Sequence, residues 1–203
     1  ADRAAVDARL EFERRIADIS TRFIGVPFEG LDGAIADALG SVTRFIRCDR
    51  GFIDLFDGDF LENRYLWTSG DVRPSPGRVD RFDIGASAMF RPVMDRQEFV
   101  RVSDVVAMED SDPLTDSLRS IGARSFLGVP MVRGGNVIGC FGFISFTAPR
   151  EWPDSDVAMY RIVGDLFVNA LERKRTEAEL RDSEDKYRTL VERSSDEIGR
   201  AHV

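Results

Sequence analysis

The run from Ser125 to Phe146 leaves this chain little freedom. Ser125-Phe-Leu-Gly-Val-Pro-Met131 is apolar, Gly134 and Gly135 follow, and a second apolar run covers Asn136-Val-Ile-Gly-Cys-Phe-Gly-Phe-Ile-Ser-Phe146. Two β-rich runs joined by a short glycine turn predict a hairpin. Trp152-Pro-Asp-Ser-Asp156 comes next, and a long helical pattern then reaches Glu172-Arg-Lys-Arg175. Asp154 or Ser155 can cap that helix, its side-chain oxygen accepting from backbone N–H groups left free in the first turn.

The segments upstream alternate between helical and extended patterns. Phe12, Ile16, Ile19 and Phe23 share one helical face, and Pro27 ends that helix. Leu31, Ile35, Leu39, Val42 and Phe45/Ile46 mark a second helix. Residues 51–56 predict a strand, Asp57-Gly58 a turn and residues 62–68 the antiparallel return strand. Residues 69–85 carry Gly70, Pro74, Pro76, Gly77 and Gly85 and predict a loop. A short helix over 86–94, a strand over 98–102, a loop over 108–113 and a helix over 114–121 complete the reading. The fold class expected is α+β: a central antiparallel sheet flanked by helices, with long helices at both ends. No internal repeat or low-complexity tract interrupts it.

Composition narrows the function classes. At 203 residues the chain suffices for one domain with a full core plus extra helix. A net charge of −8 argues against a nucleic-acid partner, which calls for a basic footprint. The longest apolar runs fall far short of the roughly 20 residues a membrane span needs. No signal peptide is present, so a cytoplasmic setting without membrane contact is expected. The start at Ala1 without Met fits a segment of a longer protein. Cys48 and Cys140 lie far apart among apolar neighbours and read as buried, reduced thiols; a disulfide or a redox-sensing thiol is the alternative.

Much catalytic chemistry is excluded outright. The single histidine, His202, lies at the very end, so Ser-His-Asp and Cys-His machinery and histidine zinc sites cannot be built inside the domain. No phosphate-binding Gly-x-x-x-x-Gly-Lys-Ser/Thr loop, phosphoacceptor histidine on the helical linker or diguanylate cyclase motif occurs. Glu109, Asp110 and Asp112 form an acidic loop, read as solvated, with Asp112 as a helix cap rather than a metal ligand. No catalytic residue and no metal site is assigned.

The last helix carries more apolar surface than one core contact requires: Met159, Ile162, Val163, Leu166, Phe167, Ala170 and Leu171. Heptad-like steps from Ile162 reach Leu166, Asn169, Arg173, Thr176, Leu180, Ser183, Tyr187 and Leu190, of which only half are apolar. This is the pattern of a marginal coiled coil, with a single solvated helix as the alternative. A parallel homodimer is expected, with Met159, Ile162, Val163, Leu166, Asn169, Ala170, Arg173, Thr176 and Leu180 on the dimerising and signalling face.

Phe126-Leu-Gly-Val-Pro130, Val137-Ile-Gly-Cys-Phe-Gly-Phe143, Trp152-Pro-Asp154 and the helix through Ala170-Leu171 resemble the GAF domain family. Glu184-Asp-Lys-Tyr-Arg-Thr-Leu-Val-Glu-Arg-Ser-Ser-Asp-Glu-Ile198 resembles the start of a PAS domain. The resemblance implies an N-terminal helix over 1–23, a GAF-like sensor domain over 24–171, a signalling helix over 172–193, and a truncated PAS start or added tail over 194–203. It implies a pocket between the sheet and the helices of segment 65–126, lined by Tyr65, Trp67, Phe82, Met89, Phe90, Met94, Leu114, Leu118 and Phe126. Arg91 and Arg124 would meet an anionic group. The alternative is that these apolar residues simply fill the core.

Ligand-specific patterns of the family are missing. Asp116-Ser-Leu118 stands where bilin-binding members carry Cys beside His, the cyclic-nucleotide signature does not occur in order, and the cysteines of the methionine-sulfoxide reductase members are lacking. The cofactor therefore stays unassigned. The function implied is a non-catalytic sensor that relays a small-molecule or redox signal to a PAS domain and a histidine kinase or diguanylate cyclase output. A ligand-free dimerisation module is the alternative, and a small-molecule enzyme the third reading.

Overall fold

The computed structural model describes residues 2–70 and 81–200. Helix α1 (Asp2–Gly25) buries Phe12, Ile19 and Phe23, as their spacing predicts. After Pro27 and a 3-10 turn at Phe28–Gly30, α2 (Leu31–Ile46) buries Leu31, Ile35, Leu39, Val42 and Ile46. Arg47 then takes a left-handed φ of 59° and stops the helix. Strands β1 (Arg50–Asp57) and β2 (Phe60–Thr68) pair antiparallel.

The expected loop over 69–85 contains a third strand, β3 (Arg81–Asp83), which pairs with Phe60, Leu61 and Glu62 of β2. The helix expected over 86–94 starts later. A 3-10 turn (Ala88–Phe90) leads into α3 (Arg91–Arg96), because Pro92 suits a first helical turn and Gln97, at φ 55°, ends it. Strand β4 (Val100–Val102), helix α4 (Pro113–Ser120) and the hairpin of β5 (Ser125–Arg133) and β6 (Asn136–Ser145) follow. Gly134 and Gly135 both have positive φ, the geometry that a two-residue hairpin turn matching strand twist requires. After a 3-10 turn at Asp154–Asp156, α5 (Val157–Arg200) passes the expected boundary at residue 193 as unbroken helix. His202 lies outside the described residues, as does all of the tail expected to diverge at 199–203 except its first two residues, which continue α5.

Among the described residues all strand pairings are antiparallel, in the order β3-β2-β1-β6-β5-β4. The sheet separates two apolar clusters. On one face α1, α2 and α5 cover Ile53, Leu127, Val129, Met131, Phe141 and Phe143. On the other, Phe52, Leu61, Phe126, Cys140 and Ile144 meet Phe90 and Val93 and the residues of α4, Leu114 and Leu118. Gly142 lies between β1 and β5 where a Cβ would collide with the Leu127 carbonyl and the Phe52 ring, so the strands close only around a glycine. Cys48 and Cys140 are free and buried.

Candidate functional site

A cavity opens within the second cluster, between the sheet and α4. Its free volume is about 80 Å³. Alternate residues of β1 form its floor: Arg50, Phe52 and Asp54. Phe52 stacks on Phe126 at 5.6 Å, and Phe82 tilts against Phe90 at 5.4 Å, giving two aromatic walls. Leu114 and Leu118 close it from α4. Asp112 fixes that helix. Its carboxylate accepts from Leu114 N at 2.8 Å, from the Ser87 hydroxyl at 2.6 Å and from Ala88 N at 2.9 Å, which ties α4 to the turn that carries Phe90.

The polar part of the cavity is a row across three strands. Strand register sets Asp54 opposite Asn63 of β2 and Cys140 of β6. Asn63 Nδ2 donates to Asp54 Oδ1 at 2.7 Å and to the Tyr65 carbonyl at 3.2 Å. Burial pushes the Asp54 carboxyl up to about 6, with the Asn63 hydrogen bond opposing the shift. Burial also raises the Cys140 thiol well above its ordinary range, and the nearby Asp54 charge adds to this. The Cys48 thiol is pushed up to about 11 by burial. Both thiols are therefore protonated near neutral pH and lack the thiolate that reacts with oxidants. Arg50, at the far end of the floor, donates to the Thr68 hydroxyl at 3.2 Å and lies over the Phe146 ring at 4.7 Å.

The structure brings together five of the residues expected to line a pocket: Phe82, Phe90, Leu114, Leu118 and Phe126. Met89 packs against the cluster from beside the cavity, where its sulfur accepts from the Thr115 hydroxyl at 3.7 Å. Met94 and Arg91 lie on the exposed side of α3. Arg124 faces Asp104 at 3.5 Å and does not reach the cavity. Tyr65 and Trp67 lie on the opposite face, against the α1–α2–α5 core. A β-bulge is the reason. Ile53 pairs with Tyr65 but Asp54 pairs with Asn63, so Arg64 is left out of the ladder and the in–out phase of β2 reverses there. Leu61 and Asn63 face the cavity below the bulge, and Leu66 faces it above.

Sequence reasoning confined to segment 65–126 missed Arg50, Phe52, Asp54, Leu61, Asn63, Cys140 and Ile144. The available signal was two charged residues in the inward phase of β1, at Arg50 and Asp54, on either side of Phe52.

Tyr65 belongs to a second cluster, at the root of the outgoing helix. Its hydroxyl donates to Asp32, and Lys174 Nζ of α5 donates to the same carboxylate at 2.5 Å. Lys174 and Tyr65 hold the Asp32 carboxyl below its ordinary range. Arg173 donates to the carbonyls of Phe23 and Val26, at 2.8 Å for the latter, and so closes the end of α1. Arg133 of the hairpin pairs with Glu172 at 2.6 Å. Within the face expected to dimerise, Val163 and Ala170 are buried in the protomer's own core and Arg173 is engaged by α1. Met159 and Leu166 are partly buried at the core's edge, while Ile162, Asn169, Thr176 and Leu180 are exposed. Farther along, Leu180, Tyr187 and Leu190 are 58%, 69% and 60% exposed.

Comparison with known proteins gives a consistent result. The family model described as "GAF domain" matches residues 30–171. No curated protein matches the chain. A phycocyanobilin-bound GAF domain from a cyanobacterial phytochrome superposes with a TM-score of 0.66 at 15% identity, covering 82% of this chain and 96% of that one. Free methionine-R-sulfoxide reductase from Neisseria meningitidis, in complex with its substrate, gives 0.64 at 17% identity, covering 84% and 93%. The domain of a two-component sensor histidine kinase protein from Sinorhizobium meliloti gives 0.55 at 23% identity, covering 73% and 94%.

Proposed function

The chain belongs to the GAF domain family, and on that premise we propose that it is a non-catalytic sensory module whose cavity takes a small molecule and whose α5 carries the response onward. The observation that carries this reading is a continuous set of contacts from cavity to helix. The Asn63 amide holds both the Asp54 carboxyl and the Tyr65 carbonyl, and the Tyr65 hydroxyl joins the pair between Asp32 of α2 and Lys174 of α5. A ligand that repositions Asn63 acts on the strand segment that anchors the helix. It biases the helix only by binding one arrangement more tightly than the other.

A free volume of about 80 Å³ is roughly half the ~150 Å³ of a cavity that holds benzene, so the ligand expected has only a few heavy atoms. That is far from a tetrapyrrole such as the one named in the cyanobacterial neighbour. The reductase among the structural neighbours keeps an enzymatic reading in view; the protonated thiols and the lack of a domain histidine speak against it here.

The relay proposed runs along α5 in a cytoplasmic, two-component type of protein, through a parallel homodimer, to a PAS domain and a histidine kinase or diguanylate cyclase. Exposed Leu180, Tyr187 and Leu190 support pairing of this helix with its counterpart in a second copy. The same residues favour the second reading, a ligand-free dimerisation module. Light scattering is expected to give a dimer that becomes monomeric in Leu180→Asp/Leu190→Asp, with the domain's unfolding temperature little changed. Thermal unfolding against a panel of small metabolites separates the two readings, since a ligand that binds only the folded state raises the midpoint. A wild-type monomer at all concentrations removes the dimer; no shift with any compound leaves only the dimerisation module.

A further inference from the structure

We propose that the cavity recognises a cation: a compact, protonated amine whose ammonium group docks on Asp54 while its alkyl part fills the space between the aromatic walls. The inference rests on the ligand-binding reading above and assigns the ligand's charge.

Three observations support it. First, Asp54 is buried and shares the cavity lining with apolar side chains, Phe52, Leu61, Phe90, Leu118 and Phe126 among them. A carboxylate taken from water needs a cation or several donors. Among the described residues, Asn63 is its only hydrogen-bond donor, and that bond is to Oδ1. Second, Asp54 itself lines the cavity, and the hydrogen bond from Asn63 engages only one of its two carboxylate oxygens. Third, four phenylalanines line the cavity, in the pairs Phe52–Phe126 and Phe82–Phe90, and offer ring faces to a bound group. Such rings attract a desolvated ammonium. An anion at this end would meet a carboxylate, and the arginines expected to serve it, Arg91 and Arg124, do not line the cavity.

The charged and titratable groups around Asp54 leave this assignment standing. Cys140 of β6 is a protonated thiol, Asn63 of β2 and Ser117 of α4 are neutral, and Arg50 of β1 is at the other end of the floor, engaged with Thr68 and Phe146. Arg50 lies four residues away along an extended strand, about 13 Å between Cα atoms.

The test uses three probes of nearly equal size: isobutylammonium, isobutanol and isobutyrate. Each is titrated into the 203-residue protein at pH 7.5 and constant ionic strength, with amide shifts of Phe52, Asp54 and Asn63 as readout. Isobutylammonium is expected to bind at least tenfold more tightly than isobutanol, and isobutyrate most weakly. Lowering the pH to 5 should weaken isobutylammonium about tenfold as a carboxyl titrating near 6 takes up its proton, and leave isobutanol unchanged. Asp54→Asn should abolish the preference for the ammonium and retain isobutanol binding. Equal binding of ammonium and alcohol, or a preference that survives both Asp54→Asn and pH 5, overturns the cation assignment and leaves the pocket standing. If none of the three binds, the ligand-binding reading falls with it.

Discussion

The two faces of the sheet use the same strands for different ends. On the helix face, Phe141, Phe143 and Phe167 pack ring against ring, and the sheet residues Ile53, Leu127, Val129 and Met131 are sealed from water. On the α4 face, the alternate residues of those strands surround a cavity and a poorly partnered carboxyl. One face gathers buried apolar area; the other leaves a cavity open beside a buried carboxyl, at a loss of packing and desolvation energy. The contrast teaches where stability and binding can be altered independently.

The largest effect that probes this division is a cavity made on the helix face. Phe141→Ala is expected to cost about 3–5 kcal/mol, because the ring lies between Phe143 and Phe167 and nothing can collapse into its place. Leu61→Ala, beside the existing cavity, should stay near the low end for such a change, about 2 kcal/mol. Urea unfolding measures both. Equal losses would mean that the α4 face is packed as tightly as the helix face.

The next effect has the opposite sign. The folded carboxyl of Asp54 titrates near 6, above its ordinary 3.8, so the native state binds the proton more tightly than the unfolded chain. Its contribution is neutral below about pH 4, becomes unfavourable as the pH rises, and is fully unfavourable above about 6. Asp54→Asn should therefore stabilise the protein at pH 7.5 by up to about 3 kcal/mol, the difference in pKa at about 1.4 kcal/mol per unit, and by nothing near pH 4. Denaturation of both proteins across this pH range checks it. A mutant less stable at pH 7.5 would show that the carboxylate has better partners than Asn63.

The smallest effect tests the link between the faces. Tyr65→Phe removes the hydroxyl that donates to Asp32 and should cost under about 1 kcal/mol, since Asp32 is exposed and keeps Lys174. The Asp32 carboxyl should titrate higher by NMR, having lost one of its two supports, and amide exchange should speed up in α5 near Lys174. Unchanged exchange would detach the cavity from the helix.

The sequence reads well where a single period dominates. The β5–β6 hairpin, the apolar faces of α1 and α2 and the stripe of α5 appear as strong patterns because each element has one buried side. Strand β3 was hidden because three residues pairing only with the end of β2 carry no period of their own. The bulge at Arg64 was hidden because Asn63-Arg-Tyr65 contains no glycine or other local sign of a phase change, and it alone moved Tyr65 and Trp67 to the other face. The apolar half of the cavity was therefore legible, through Phe82, Phe90, Leu114, Leu118 and Phe126. The polar row Asn63–Asp54–Cys140 was not, since it exists only through the register of three strands far apart in sequence.

The bulge also shapes how this chain can vary. Below Arg64 a substitution at Leu61 or Asn63 is felt by the cavity, and above it one at Tyr65 or Trp67 is felt by the helices. One strand thus writes two messages, and most single replacements edit only one of them. Arg64 itself is different in kind: it absorbs the phase change, so its loss would join Asn63 to Tyr65 in a regular ladder with each still on its own face. Replacements on either side of Arg64 stay confined to one face of the sheet, and the spare residue between them is the place where this strand can shorten by one without reversing either face.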